Sequence, residues 1–69
     1  MLQVYKVDYP FEQSSNLEIS LSVNELVTVL AKHDEAQNSE WWLVENDAGV
    51  KGYAPAAFLS PLIPNAPWD

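Results

Sequence analysis

The sequence predicts a small all-β domain, namely a five-stranded barrel of two packed antiparallel sheets with one short 3₁₀ turn. Apolar and polar residues alternate in several short runs, and the segments between these runs are rich in Ser, Asn and Asp. No apolar pattern of helical period extends over a useful length. At 69 residues the chain suffices for one domain. Because so short a chain buries only about 60% of its unfolded surface, we expect a thin core.

The first alternating run covers residues 4–9, where Val7 and Tyr9 share one side of a predicted strand. Pro10 lacks the N–H that a central strand would use, so the strand ends there or lies at a sheet edge. Residues 12–16 are polar and without periodicity, and they predict a loop.

Residues 17–21 alternate again and predict a second strand. We expect Ile19 and Leu21 to point into the core, with Glu18 and Ser20 pointing outward.

A turn and a third strand follow. Within the turn at residues 22–25, Asn24 is the residue that best tolerates a left-handed backbone. Residues 26–31 form a run rich in β-branched side chains, which favours a strand. Residues 32–39 are polar and predict a second long loop. It includes the pair Asp34 and Glu35, which we assign to a solvated face, with contact to a basic ligand as the alternative.

Residues 40–45 form a strand with two adjacent tryptophans. Successive side chains of a strand point to opposite faces, so both tryptophans cannot share the face that buries Val44. Trp42 has the parity of Val44 and is expected at the edge of that face. Trp41 then lies on the other face as a flat apolar platform with one N–H donor. The alternative is that both tryptophans belong to the core.

The remaining strands close the predicted barrel. Residues 46–49 form a tight hairpin turn in which Gly49 takes a positive φ, and residues 50–54 return antiparallel. Residues 55–58 are too few for an α-helix and suit one 3₁₀ turn, after which Leu59 begins a last short strand.

Proline dominates the end of the chain, so we divide it into a domain at residues 1–62 and a proline-rich tail or linker at 63–69. Pro61, Pro64 and Pro67 are spaced by three, which is the repeat of the polyproline II helix. Two interpretations stay open: an ordinary linker, or a segment that docks into a groove of this or a neighbouring molecule.

The composition excludes several classes of protein. The chain has no cysteine and one histidine, so we expect no disulfide, no metal site, no cofactor and a reducing, cytoplasmic setting. No apolar run has the length of a membrane span, and no signal-peptide pattern follows Met1.

Charge narrows the choice of partner. Three basic residues against 10 acidic ones give a net charge of −7. Nucleic acids and anionic membranes need a basic face, so we expect neither as a partner. A protein segment that carries Arg or Lys is favoured.

Several short motifs occur in a fixed order along the chain: Val7-Asp8-Tyr9-Pro10-Phe11, Glu18-Ile19-Ser20-Leu21, Trp41-Trp42, and Gly52-Tyr53-Ala54-Pro55-Ala56-Ala57-Phe58. Each is weak alone. Together, at this spacing, they make the chain resemble a Src-homology-3 (SH3) domain over roughly residues 5–62. The resemblance implies an SH3-like barrel.

The resemblance also implies a function: a non-catalytic, monomeric module that binds proline-rich polyproline II segments bearing Arg or Lys. Such modules commonly belong to larger scaffold, adaptor or exchange-factor proteins. Carried over by position, the aromatic groove consists of Tyr9, Phe11, Trp41, Tyr53, Pro55 and Phe58. The acidic pocket for the basic ligand residue consists of Glu12, Glu18 and Glu40.

The chain departs from the family pattern at several positions. Phe11 and Phe58 stand where the family commonly has tyrosine, and Ala57 where many members have a ligand-bonding Asn. We therefore expect fewer polar anchors, and either weak binding of simple Pro-x-x-Pro peptides or a reliance on the two long loops for extra contacts. Val7 and Ala54 exchange the family's usual small and large residues, which predicts a volume-conserving swap in the core.

Two other functions compete with peptide binding. His33-Asp34 is the only pair that resembles acid–base machinery, but neighbouring loop residues do not make an oriented dyad, and no nucleophile motif accompanies them. The other alternative is an intramolecular or atypical module that binds a partner without a Pro-x-x-Pro motif.

Overall fold

The computed structural model describes residues 3–62, which form an antiparallel sheet and one 3₁₀ helix. The strands are β1 (Gln3–Val7), β2 (Leu26–Ala31), β3 (Trp41–Glu45), β4 (Lys51–Pro55) and β5 (Leu59–Pro61), and the 3₁₀ helix is Ala56–Phe58. The predicted all-β class, the total of five strands and the 3₁₀ turn are confirmed, and five of the six segments predicted as strands form one. Among residues 3–62, no helix is long and apolar enough to cross a membrane.

Hydrogen bonds join the strands into one continuous sheet in the order β4-β3-β2-β1-β5. Side chains from all five strands nevertheless meet in a single hydrophobic cluster. A flat sheet cannot bring its two edges to one cluster, so this sheet curls over itself. The two packed layers predicted from the sequence are therefore two parts of one sheet.

The core consists of nine buried residues, and buried positions alternate with less buried ones along β1, β2 and β4. They are Tyr5, Val7, Ile19, Leu21, Val27, Val29, Val44, Ala54 and Leu59. Val7 and Ala54 are both fully buried within this cluster, as a volume-conserving swap between them requires. Burial of each valine contributes about 1.5–3 kcal/mol to folding.

The prediction of a strand at residues 17–21 is wrong, but the prediction that Ile19 and Leu21 point into the core is confirmed. Ile19 and Leu21 are 3% and 5% exposed. The segment forms only two isolated bridges, an antiparallel one from Leu21 to Phe11 and a parallel one from Glu18 to Tyr53. A strand needs one neighbour along its length, whereas this segment changes partner after one residue pair.

The first strand also ends earlier than residue 9, at Val7. The N–H of Asp8 donates to the carbonyl of Phe58 at 2.7 Å, so the chain leaves β2 and meets the 3₁₀ helix. Tyr9 lies beyond this point and is 60% exposed.

The predicted turns have the expected backbone. Asn24 has a φ of 70° and Gly49 a φ of 81°, and the carboxamide Oδ1 of Asn46 accepts hydrogen bonds from two N–H groups of its turn. Gln37 has a φ of 65°, which the sequence did not indicate. Its turn belongs to the second long loop.

Gly52 allows the first long loop, which covers residues 8–21 after β1, to approach β4. The N–H of Tyr53 donates to the carbonyl of Leu17 at 2.8 Å, and the N–H of Ile19 donates to the carbonyl of Tyr53 at 3.1 Å. A Cβ at Gly52 would lie 2.8 Å from the Cβ of Ile19 and 2.9 Å from the backbone carbonyl carbon of Glu18. Only a residue without a side chain leaves room for this contact.

We expect Gly52→Ala to lower the free energy of unfolding by about 1–3 kcal/mol, because the added methyl group must displace backbone atoms. The measurement is urea unfolding. Lys51→Ala is the matched control, since Lys51 is exposed on the same strand, and its effect should stay within about 0.5 kcal/mol. Equal stability of the Gly52→Ala and Lys51→Ala proteins would contradict the close approach.

Candidate functional site

Four aromatic rings form a continuous row on one side of the barrel. The ring centroids of Tyr9 and Phe58 are 5.7 Å apart, those of Phe58 and Phe11 6.0 Å, and those of Phe11 and Trp41 5.8 Å. All three pairs meet edge to face, with interplanar angles of 66–81°. Aromatic rings that pack edge to face attract one another, so the four rings hold each other in place and form a surface with ridges.

The row is assembled from separate elements. Tyr9 and Phe11 follow β1, Trp41 begins β3, and Phe58 ends the 3₁₀ helix. Pro55 adjoins the row because it pairs with Trp41 in the β3–β4 ladder. Tyr53 also stands on β4, two residues before Pro55 and therefore on the same side of the strand. The structure thus brings together all six residues of the predicted groove.

The two tryptophans have separate environments, as the strand parity predicts. Trp42 packs against the core, and its ring centroid lies 5.2 Å from that of Tyr5. Its indole N–H donates a hydrogen bond to the carbonyl of Ser39. The ammonium of Lys32 lies over both rings of this pair, 5.1 Å from the Trp42 centroid. Trp41 is half-buried and stands on the opposite face of the strand.

Beside Trp41 lies a depression of about 520 Å³, which we name the acidic groove. One wall is the first long loop and the other is the second long loop, with Trp41 and Tyr53 between them. Its lining residues are Ser15, Leu17, Glu18, Asp34, Glu35, Ala36, Trp41 and Tyr53. The groove therefore adjoins the aromatic row at Trp41.

The groove contains one of the three predicted acidic residues. Glu18 lines it, whereas Glu12 and Glu40 are exposed and are not among its lining residues. Asp34 and Glu35 line it instead, from the loop that the sequence assigns to a solvated face. That loop precedes Trp41 directly, which was the available signal, but only its folded shape shows that it turns toward Glu18.

Asp34 organises the second loop. Its Oδ1 accepts hydrogen bonds from the N–H of Ala36 at 2.8 Å and the N–H of Asn38 at 2.9 Å. Its own N–H donates to the carbonyl of Asn38 at 3.1 Å, and the N–H of Gln37 donates to its carbonyl at 3.0 Å. These bonds close a compact turn in which Gln37 takes its positive φ. One carboxylate oxygen of Asp34 thus holds the loop together.

Glu18 is held in a similar way from the first loop. Its Oε1 accepts hydrogen bonds from the N–H of Ser14 at 2.8 Å and the hydroxyl of Ser14 at 2.9 Å. The groove is consequently lined by two carboxylates, each of which is held by hydrogen bonds from its own loop.

Within residues 3–62, no cationic side chain lines the acidic groove. The Nζ of Lys6 lies 3.8 Å from Oδ1 of Asp8. Lys32 covers the rings of the Tyr5–Trp42 pair. Lys51 stands opposite Glu45 in the β3–β4 ladder. None of the three lysines is a lining residue of the groove. Its three carboxylates therefore form an anionic surface that a basic ligand group would complement.

Among residues 3–62, no three His, Asp or Glu side chains are grouped so that they could hold a metal ion.

Comparison with known proteins identifies the family to which this fold belongs. Residues 7–60 match the family model described as a variant SH3 domain. The chain belongs to the SH3 family. Domains of this family are protein-interaction modules.

Solved SH3 domains share the fold. The C-terminal SH3 domain of myosin IB from Entamoeba histolytica, in complex with an EhFP10(GEF) peptide, has a TM-score of 0.78 at 28% identity, over 91% of this chain and 97% of that one. The SH3 domain of yeast NBP2 has a TM-score of 0.77 at 27% identity, over 88% of this chain and 98% of that one.

Curated relatives are much longer proteins. Mouse epidermal growth factor receptor kinase substrate 8-like protein 3 is 39% identical over 90% of this chain, human Rho guanine nucleotide exchange factor 37 is 44% identical over 75%, and human dynamin-binding protein is 39% identical over 83%. The chain spans 10%, 8% and 4% of their lengths, respectively.

We expect Asp34→Ala to loosen the second loop, because two backbone N–H groups lose a charged acceptor at a cost of about 1–2 kcal/mol. Hydrogen exchange at the amides of Ala36 and Asn38 should accelerate roughly 5- to 30-fold. Glu35→Ala is the control, since Glu35 is exposed on the same loop. Unchanged exchange in the Asp34→Ala protein would show that the loop keeps its shape without this carboxylate.

Proposed function

We propose that this SH3 domain binds proline-rich segments in the polyproline II conformation that carry an Arg or Lys residue. The observation that carries the proposal is the continuity of the aromatic row with the acidic groove at Trp41. An extended ligand crossing the row would deliver a flanking basic side chain between the two loops.

The aromatic row suits the shape of such a ligand. A polyproline II helix has three residues per turn and no internal hydrogen bonds, so its prolines can pack between ridges while its carbonyls seek donors. Trp41, Tyr9 and Tyr53 supply an indole N–H and two hydroxyls, and Tyr9 is well exposed. Phe11 and Phe58 provide ring surface without a hydroxyl, so affinity for a simple Pro-x-x-Pro peptide should be modest.

The acidic groove sets the orientation of the bound ligand and requires the ligand to carry a positive charge. Glu18, Asp34 and Glu35 present carboxylates, while Leu17, Ala36 and Trp41 present apolar surface. Arg and Lys combine an apolar stem with a cationic head, and this combination matches both parts of the groove.

The setting of the domain is part of the proposal. Its relatives include a Rho guanine nucleotide exchange factor and dynamin-binding protein, which supports a place within a larger scaffold, adaptor or exchange-factor protein. We propose that it acts there as a monomer in the cytoplasm, where a chain with no cysteine is independent of disulfides. The predicted tail at residues 63–69, including Pro64 and Pro67, lies outside the described residues.

Two substitutions on one strand should separate binding from folding. Trp41→Ala removes the half-exposed platform and should abolish binding of a proline-rich peptide while the domain stays folded. Val44→Ala removes two methyl groups from a fully buried position and should lower stability by about 1–3 kcal/mol while the folded protein still binds. Isothermal titration calorimetry with the peptide measures binding, and urea unfolding measures stability. A Trp41→Ala protein that binds normally refutes the aromatic row as the binding surface.

The charge requirement is tested with two synthetic peptides, one with an arginine beside a Pro-x-x-Pro core and one with glutamine in place of that arginine. Glu18→Gln should weaken the arginine peptide by about 1 kcal/mol, roughly fivefold, and leave the glutamine peptide unchanged. Glu12→Gln is the control, because Glu12 does not line the groove. The preference for arginine should also shrink as salt rises.

A wild-type domain that binds neither peptide would support the alternative of an intramolecular or atypical module. Equal loss of arginine preference in the Glu12→Gln and Glu18→Gln proteins would mean that net charge, rather than the acidic groove, selects the ligand.

A further inference from the structure

We propose that Ser14 is a positioning residue for ligand selection: it fixes the Glu18 carboxylate so that its second oxygen is ready to meet the ligand's cationic group. This inference rests on the proposed function, since it concerns how the acidic groove distinguishes a basic ligand residue. It assigns a specific role to a residue that does not itself line the groove.

The contact between the two residues is doubled on one atom. Both the N–H and the hydroxyl of Ser14 donate to Oε1 of Glu18, at 2.8 and 2.9 Å. No described residue donates a hydrogen bond to Oε2. The carboxylate is therefore anchored through one oxygen and keeps the other for a partner.

The backbone of Glu18 is held as well. Its N–H donates to the carbonyl of Ser15 at 3.3 Å, and the next residue, Ile19, donates to the carbonyl of Tyr53 at 3.1 Å. The side chain is thus restrained at its base by β4 and at its tip by Ser14. A free glutamate side chain loses rotamer freedom when it binds a ligand, whereas this one has lost much of it beforehand.

Glu12, from the same loop, shows the contrast. It is exposed and has no side-chain hydrogen bond among the described residues. The loop thus offers two glutamates of equal charge, of which only Glu18 has a fixed carboxylate in the groove. Positioning, rather than charge alone, then accounts for which one selects the ligand.

The experiment measures the dissociation constants of the arginine peptide and the glutamine peptide for the wild type and for Ser14→Ala. Ser14→Ala removes the hydroxyl donor and keeps the N–H donor, so the arginine peptide should bind roughly two- to threefold more weakly, which is less than the loss expected for Glu18→Gln. The glutamine peptide should bind unchanged. Ser14→Thr retains the hydroxyl and should restore the preference for arginine.

Two further variants separate positioning from general loop order. Ser20→Ala removes another hydroxyl of the same loop, one that bonds Gln13 and not Glu18, and it should leave both affinities unchanged. In a Glu18→Gln background, Ser14→Ala should cause no additional loss, because the two residues act through one carboxylate.

The outcomes distinguish the two levels of the account. If the wild type binds both peptides equally, the proposed charge requirement fails, and the role of Ser14 fails with it. If the wild type prefers arginine and Ser14→Ala preserves that preference, only the role of Ser14 is overturned. An equal loss with both peptides, or the same loss with Ser20→Ala, also overturns it, since loop order alone would then explain the effect.

Discussion

The docking of the first long loop against β4 is the contact on which the site depends. Two hydrogen bonds join Leu17 and Ile19 to Tyr53, and they require the backbone to pass Gly52 at a distance that no Cβ permits. This contact buries Ile19 in the core and holds Leu17 and Glu18 beside Tyr53. One close backbone approach therefore serves both the core and the wall of the groove.

The two adjacent tryptophans at the start of β3 have different roles. Trp42 closes an end of the core, with its N–H bonded to Ser39 and its ring covered by Lys32. Trp41 on the other face joins the aromatic row to the acidic groove. The placement of the lysines completes the arrangement, because each lies elsewhere and leaves the carboxylates of the groove available to a ligand cation.

Alternation and local turn chemistry were sufficient to predict most of the fold. Parity placed Val44 in the core and separated Trp41 from Trp42, and the preference of Asn and Gly for a positive φ placed two turns correctly. The strand prediction at residues 17–21 was wrong because alternation shows which side chains are buried. It says nothing about whether the backbone pairs continuously with one neighbouring strand. The sequence favoured a solvated face for Asp34 and Glu35 over contact with a basic ligand, because a loop's contribution to a site depends on its internal hydrogen bonds, which follow no periodic pattern.

The central claim is that a ligand's cation lies between the two long loops while its prolines lie on the aromatic row. NMR mapping of backbone and indole shifts with the arginine and glutamine peptides tests it most directly. The account predicts that both peptides shift the Trp41 indole, and that the difference between them is confined to amides around Glu18 and Asp34. A difference centred on the exposed apolar residues Val4 and Leu30, or none near either loop, would contradict it.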